Sequence, residues 1–189
     1  TEVPKGIFDQ IHLIENPHRR SKVDCLSLSR FDRTLYLDSD IRVVAEVTSM
    51  FALLDRFHFA AAHAHARNRS QTNMKWQHDI TDAFPQLNGG VLLFRKCDAV
   101  QELLHDWAQS FADAGFAKDQ VTLRELIWLS NLHLFILPPE YNVRYRKYLK
   151  VWEFEEAQPK ILHFKEFNSI EKRARRRNPL KALLDVLRG

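Results

Sequence analysis

The stretch RTLYLDSDIRV, residues 33–43, decides how the chain is read. Thr34–Leu37 is a short apolar run, and Asp38 and Asp40 follow it with one serine between them. A strand covered on both faces stays apolar until it leaves its sheet. The run is therefore expected to be a buried strand ending at Asp38. Ligand sites in open α/β sheets lie beyond the carboxyl ends of strands. Residues i and i+2 of an extended chain point to the same side, so both carboxylates are expected to face one crevice. There they repel unless protonated or bridged by a cation. Hard divalent ions such as Mg2+ or Mn2+ suit these oxygen ligands and often share them with substrate phosphates. The same residue types also form ordinary turns, and a lone DxD triplet is compatible with one.

Outward from this stretch, short apolar runs alternate with amphipathic segments, the pattern of an α/β fold. IFDQIHLIE (7–15) reads as a strand and turn, and SKVDCLSLSR (21–30) as a helix with Ser21 at its N-cap. In AEVTSMFALLD (45–55), Val47, Met50, Phe51 and Leu54 share a helical face. FHFAAAHA (57–64) is strand-like, and RNRSQTN (67–73) is a polar loop. Residues 98–115 hold the clearest helix: Val100, Leu103, Leu104, Trp107 and Phe111 line one side, Asp98 caps the start, and Gly115 ends it. DQVTLRELIWLSN (119–131) is another helix, with HLFILPP (133–139) and KILHF (160–164) as later strands. Trp107, Phe111 and Trp128 are expected in the core.

Two further segments bear on the carboxylate pair. In QLNGGVLLFRK (86–96), Asn88, Gly89 and Gly90 stand just before an apolar strand. Two glycines permit close backbone approach or positive φ, and Asn88 offers an amide for hydroxyl recognition. A simple tight turn is the plainer reading. In KILHFKEF (160–167), His163 ends a strand and Lys165 follows. The histidine can complete a metal site, and the lysine can balance phosphate charge.

The 189 residues fit one domain, and 45% hydrophobic with 28% charged residues is an ordinary globular balance. Two cysteines, Cys25 and Cys97, exclude a disulfide framework or zinc ribbon. No apolar run is long enough to span a bilayer. The net charge of +4 and pI near 9.1 come partly from a basic C-terminal cluster. The start lacks an initiator Met, and an excised or truncated segment is the expectation.

Taken in order, RTLYLDSDIRVV, LNGGVLLFRKCDAV, AKDQVTLRELI and KILHF resemble nucleotide-sugar glycosyltransferases of the GT-A type, in particular the glycogenin and lipopolysaccharide-galactosyltransferase family. The resemblance covers roughly residues 21–165. It implies a mixed sheet flanked by helices, and a metal-dependent transfer of a sugar from a nucleotide donor to an acceptor hydroxyl. It implies that Asp38, Asp40 and His163 bind Mn2+ (or Mg2+) and that Asn88, Gly89 and Gly90 lie beside the transferred sugar. Asp119 would bind donor hydroxyls, and Gln120 would sit near the anomeric carbon. Lys22, rather than Arg30, would contact the donor, and Ser39 stands within the DxD triplet. Retention of anomeric configuration is the family's expected outcome. Two departures stand out. The glycine and Lys-Pro-Trp run that follow the family's histidine are missing, with Lys165 as a substitute, and the usual first βαβ unit is missing or reduced. The implied partners are a nucleotide-sugar donor, UDP-sugar favoured, and a glycan, lipid or protein acceptor.

Two other readings remain. One is a degenerate GT-A domain that binds or scaffolds without turnover. The other is a haloacid-dehalogenase-type phosphatase, which also places DxD after a strand, although Arg42 stands where that class carries Thr or Val and NGG has no role. His58, His63, His65 and His78 form a loose group read as strand and loop residues, acceptor-side contacts or metal ligands, and Trp76 as packing or a sugar-stacking ring. The transferase-like domain is drawn as 1–168 and a basic tail as 169–189. In the tail, Lys172, Arg173, Arg175, Arg176 and Arg177 precede a helix with Leu180, Leu183, Leu184 and Leu187 on one face. That suits either a peripheral membrane contact or packing on the domain. No motif supports nucleic-acid binding. A cytoplasmic or peripheral membrane location is expected, or a Golgi lumen if the chain is a fragment.

Overall fold

Residues 87–95, LNGGVLLFR, form the central strand of the molecule, β4 (Leu87–Arg95), seen in a computed structural model that describes residue 6 and residues 8–168. Its alternation sets up two layers, because successive strand side chains face opposite ways. Leu92 and Phe94 face one core with Phe59, Leu104, Trp107 and Leu123. Val91 and Leu93 face another with Met50, Leu54, Ala60 and Ile161. Both faces are covered, which is why the strand is apolar throughout.

Four strands make the main sheet in the order β1-β4-β3-β5: β1 (Arg33–Leu37), β3 (Phe59–His63) and β5 (Leu134–Ile136) join β4. β1 and β3 run antiparallel to β4, and β5 runs parallel to β3. A second, two-stranded sheet pairs β2 (Ile41–Val43) with β6 (Ile161–His163). On the Trp107 side lie α1 (Lys22–Cys25), α2 (Asp98–Ala114) and α3 (Gln120–Leu129). This is the expected mixed sheet flanked by helices.

Several local expectations need correction. Residues 8–14 form no strand; Ile11 and Leu13 are exposed without a neighbouring strand to pair with. Ser21 holds the N-cap position of α1, but its backbone is already helical and its hydroxyl bonds the His18 backbone rather than capping the helix. α1 lasts four residues before tightening to a 3-10 turn at Leu26–Leu28. Residues 48–55 are also 3-10 rather than α, although Met50 and Leu54 are buried as the spacing required. Asp98 is the first helical residue of α2, not its cap; Cys97 holds the extended cap position. Gly115 does end that helix in the left-handed conformation, φ 63°. Trp128 is 46% exposed and packs on Phe84 at the surface, whereas Trp107 is fully buried. The basic tail lies outside the described residues.

Candidate metal centre and substrate cleft

The carboxylate pair meets its histidine through strand register. Antiparallel pairing sets Leu37 opposite Val91, and the Asp38 N–H continues the ladder by donating to the Gly90 carbonyl at 2.8 Å. Beyond the turn, β2 sets Ile41 opposite His163 on β6. Asp40, one residue before Ile41, therefore sits at the histidine. His163 Nε2 is 3.1 Å from Asp40 Oδ1 and 3.7 Å from Asp38 Oδ2. The three residues offer ligand atoms that all lie within 4.8 Å of one another, a group able to hold a metal ion.

Two observations fit this donor set to a cation. First, Asn142 Oδ1 is 2.8 Å from His163 Nδ1. An acceptor there fixes the proton on Nδ1 and leaves the Nε2 lone pair facing the carboxylates. Burial, followed by the charge of Arg144, lowers the His163 pKa to about 4 against the pull of Asp40 and Asp38. The ring is therefore neutral near pH 7, as a ligand must be. Second, a Cβ on Gly90 would stand 2.1 Å from His163 Cε1 and 2.7 Å from Asp38 Oδ2. Only glycine leaves room for the cluster. Gly89 and Gly90 lie inside β4 rather than before it, and neither has positive φ. Close approach is their reason, not turn geometry.

On the opposite face of β4, Gly89 backs onto Asp119 and Lys22. Lys22 Nζ donates to the Gly89 carbonyl at 2.5 Å and to Asp38 Oδ1 at 3.1 Å, and lies 3.3 Å from Asp119 Oδ2. Asp119, at the start of α3, is 1% exposed, and its backbone carbonyl accepts from Trp107 Nε1 at 2.8 Å. Arg20 Nε approaches it at 3.5 Å, while its buried Oδ2 accepts no hydrogen bond among the described residues. Tyr36 donates to Asp38 Oδ1 at 2.7 Å. Burial and the Asp38 charge raise the Tyr36 pKa, so the phenol stays a donor.

These groups border a cleft of about 960 Å³. Lys22, Asp38, Ser39, Asp40, Asn88, Gln120, His163 and Lys165 line it, and Asp119 lies behind Lys22. Arg30 does not; it packs against Phe31 beside a separate groove. Of the grouped histidines only His65 reaches the cleft. His58 stacks on His133, and His78 bonds Glu125 at 2.5 Å. Asp38, Asp40 and His163 are the sole group of that kind among the described residues. Sequence reasoning missed Tyr36, Asn142 and Arg144. Asn142 had one signal, an amide placed just after Pro138-Pro139 and before the His163 strand.

Sheet, flanking helices and the cleft at the end of β1 define the α/β fold of GT-A glycosyltransferases. The galactosyltransferase LgtC in complex with donor and acceptor sugar analogs matches with a TM-score of 0.51 at 16% identity, over 77% of this chain and 57% of that one. An active-site mutant of LgtC gives 0.52 at 15%, with the same shares. The bifunctional glycosyltransferase WbbM gives 0.52 at 14%, over 76% of this chain and 30% of that one. The chain thus spans 57% or less of the length of these three proteins. No family model and no curated protein sequence matches it. Among the described residues no helix is long and apolar enough to cross a membrane.

Proposed function

We propose that the chain transfers a sugar from a nucleoside-diphosphate donor to an acceptor hydroxyl, with a divalent cation, Mn2+ or Mg2+, held by Asp38, Asp40 and His163. The single observation carrying this reading is the placement of that cluster against Gly90 and of Asp119 against Gly89, on neighbouring residues of the strand that borders the cleft. Either residue set alone is common; both on adjacent glycines of one strand suit a diphosphate joined to a sugar.

When bound, the cation supplies Lewis-acid stabilisation to the charge that develops on the diphosphate. Lys22 adds a point charge beside Asp38, and Lys165 a second on the cleft wall. Asp119 Oδ2 takes a sugar hydroxyl in a desolvated position. Asn88 Oδ1 already accepts from the Gly90 N–H and the Asn142 amide, so its own NH2 is what it turns to substrate. Gln120 lines the cleft at the start of α3, and in this reading it serves the anomeric carbon. The bond from that carbon to the phosphate oxygen breaks, the acceptor oxygen bonds in its place, and the acceptor's proton leaves with the diphosphate. Retention is the outcome we assign, with UDP as the favoured nucleotide and a cytoplasmic or peripheral membrane site of action.

Asp40→Ala tests the reading. Loss of Mn2+-dependent donor hydrolysis or transfer by at least 100-fold is expected; full activity overturns it. A thermal shift with UDP or GDP plus Mn2+ separates the scaffold alternative, which predicts no stabilisation. A covalent phosphate trapped on Asp38 would instead support the phosphatase.

A further inference from the structure

The other wall of the cleft lies across Asn88 from Asp38, on the β3 side of β4, where the Ala64 N–H donates to the Gln86 carbonyl. It is cationic. The His65 ring packs on Tyr145 with centroids 3.8 Å apart, and Arg69 Nη2 donates to the Tyr145 hydroxyl at 3.4 Å. Arg144 reaches in from the segment after Asn142, and all four residues line the cleft. The charges acting on His65 are those of Arg144, Arg67, Lys147 and Arg69, with no carboxylate among them. No ion pair among the described residues takes up any of these four cations. Among the described residues, buried Arg144 Nη1 and His65 Nε2 have no hydrogen-bond partner. Arg144 does feel Asp40, Asp38 and Glu166, but the two aspartates are committed to the metal position.

Burying polar nitrogens without partners is costly, and gathering like charges adds to that cost. A protein retains such an arrangement where a ligand completes it. Arginine forks and a tyrosine hydroxyl match the oxygens of a phosphate or carboxylate. The donor's own diphosphate is accounted for on the metal side by Lys22 and the cluster. We infer that His65, Arg69, Arg144 and Tyr145 form an oxyanion subsite for the acceptor, which carries a phosphate or a carboxylate. This inference rests on the glycosyl-transfer reading for its assignment to the acceptor.

The test uses the full chain with Mn2+ and UDP, titrated with galactose 6-phosphate, galacturonate or neutral galactose. At least one charged sugar is expected to bind tenfold more tightly than galactose, and the better of the two identifies the group. Arg69→Gln should erase that preference while leaving the UDP and Mn2+ stabilisation intact, and Arg69→Lys should restore part of it. Equal binding of the three sugars overturns the inference. So does loss of the UDP stabilisation in Arg69→Gln, which would give this wall to the donor. A protein that prefers the charged sugars but ignores UDP refutes glycosyl transfer and leaves an oxyanion site standing. One that binds none of these ligands refutes both.

Discussion

The two walls of the cleft treat charge in opposite ways. Around Gly89 the cations have partners: Lys22 lies between Asp38 and Asp119, and Arg20 approaches Asp119. Around His65 no ion pair among the described residues takes up Arg67, Arg69, Arg144 or Lys147. The cations of the first wall are matched by carboxylates, so its charged groups hold position before anything binds. The second depends on what it binds. Substitutions on the Gly89 side should therefore disturb the protein itself, and those on the His65 side should disturb a ligand.

The largest effect is expected at Gly90, where the proposed metal cluster of Asp38, Asp40 and His163 leans on the strand. Gly90→Ala puts a methyl group where His163 Cε1 and Asp38 Oδ2 already sit. Overpacking of this kind costs roughly 1–3 kcal/mol. The greater consequence is that the two ligands move apart, so Mn2+ stabilisation in a thermal shift should vanish. If Gly90→Ala binds Mn2+ normally, the cluster is not the metal centre. Next comes Asn142→Ala, which frees the His163 ring without touching a carboxylate. Loss of an outer partner of a ligating histidine weakens metal binding about 10–100-fold. Calorimetry with Mn2+ should read that loss with little change in fold.

Acid should act through the same ring. The pKa of His163 falls from its ordinary 6.5 to about 4 on folding, chiefly through burial. Between those values the unfolded chain binds the extra proton and the folded chain does not. The stability of the metal-free protein therefore falls as pH drops from about 6.5 toward 4, and is insensitive to this group above that range. Half-buried His63 and His65 are lowered too and act in the same direction. Urea midpoints at pH 7.5 and 5 measure it, and His163→Gln should flatten the difference.

The frame of this site was legible because strands and helices advertise their periods. The apolar run before Asp38, the two-sided β4 and the stripe of α2 all follow from burial pattern alone. Residues 7–15 also set Ile11 and Leu13 on one side of an extended chain, yet residues 8–14 make no strand. Alternation records a face, not a partner for the backbone, and a strand needs both. The glycines were noticed for the right freedom and the wrong cause. A sequence cannot say that a histidine 73 positions away will stand 2.1 Å from an absent Cβ. Asn142 and Arg144 escaped notice for a related reason. Their meaning lies in atoms brought by β6 and by the end of β3, and PPEYNVR offers only the placement of an amide after two prolines, with nothing to announce the contact it makes.

The smallest expected effect is also the sharpest contrast between the walls. Lys22 is 11% exposed beside Asp38 and beside Asp119, which is 1% exposed. Lys22→Met leaves both carboxylates short of their shared cation and should cost about 1–3 kcal/mol in the metal-free protein. Added Mn2+ should recover part of it by neutralising Asp38. Arg69 is exposed, and its guanidinium's one described hydrogen bond is the long contact to Tyr145. Arg69→Gln should therefore change stability by less than about 0.5 kcal/mol, as surface substitutions do, or raise it slightly by easing the crowd of cations around His65. Chemical unfolding of the two variants side by side decides the matter. If Arg69→Gln destabilises as much as Lys22→Met, the His65 wall has an internal partner, and the division between a self-contained wall and a ligand-dependent one fails.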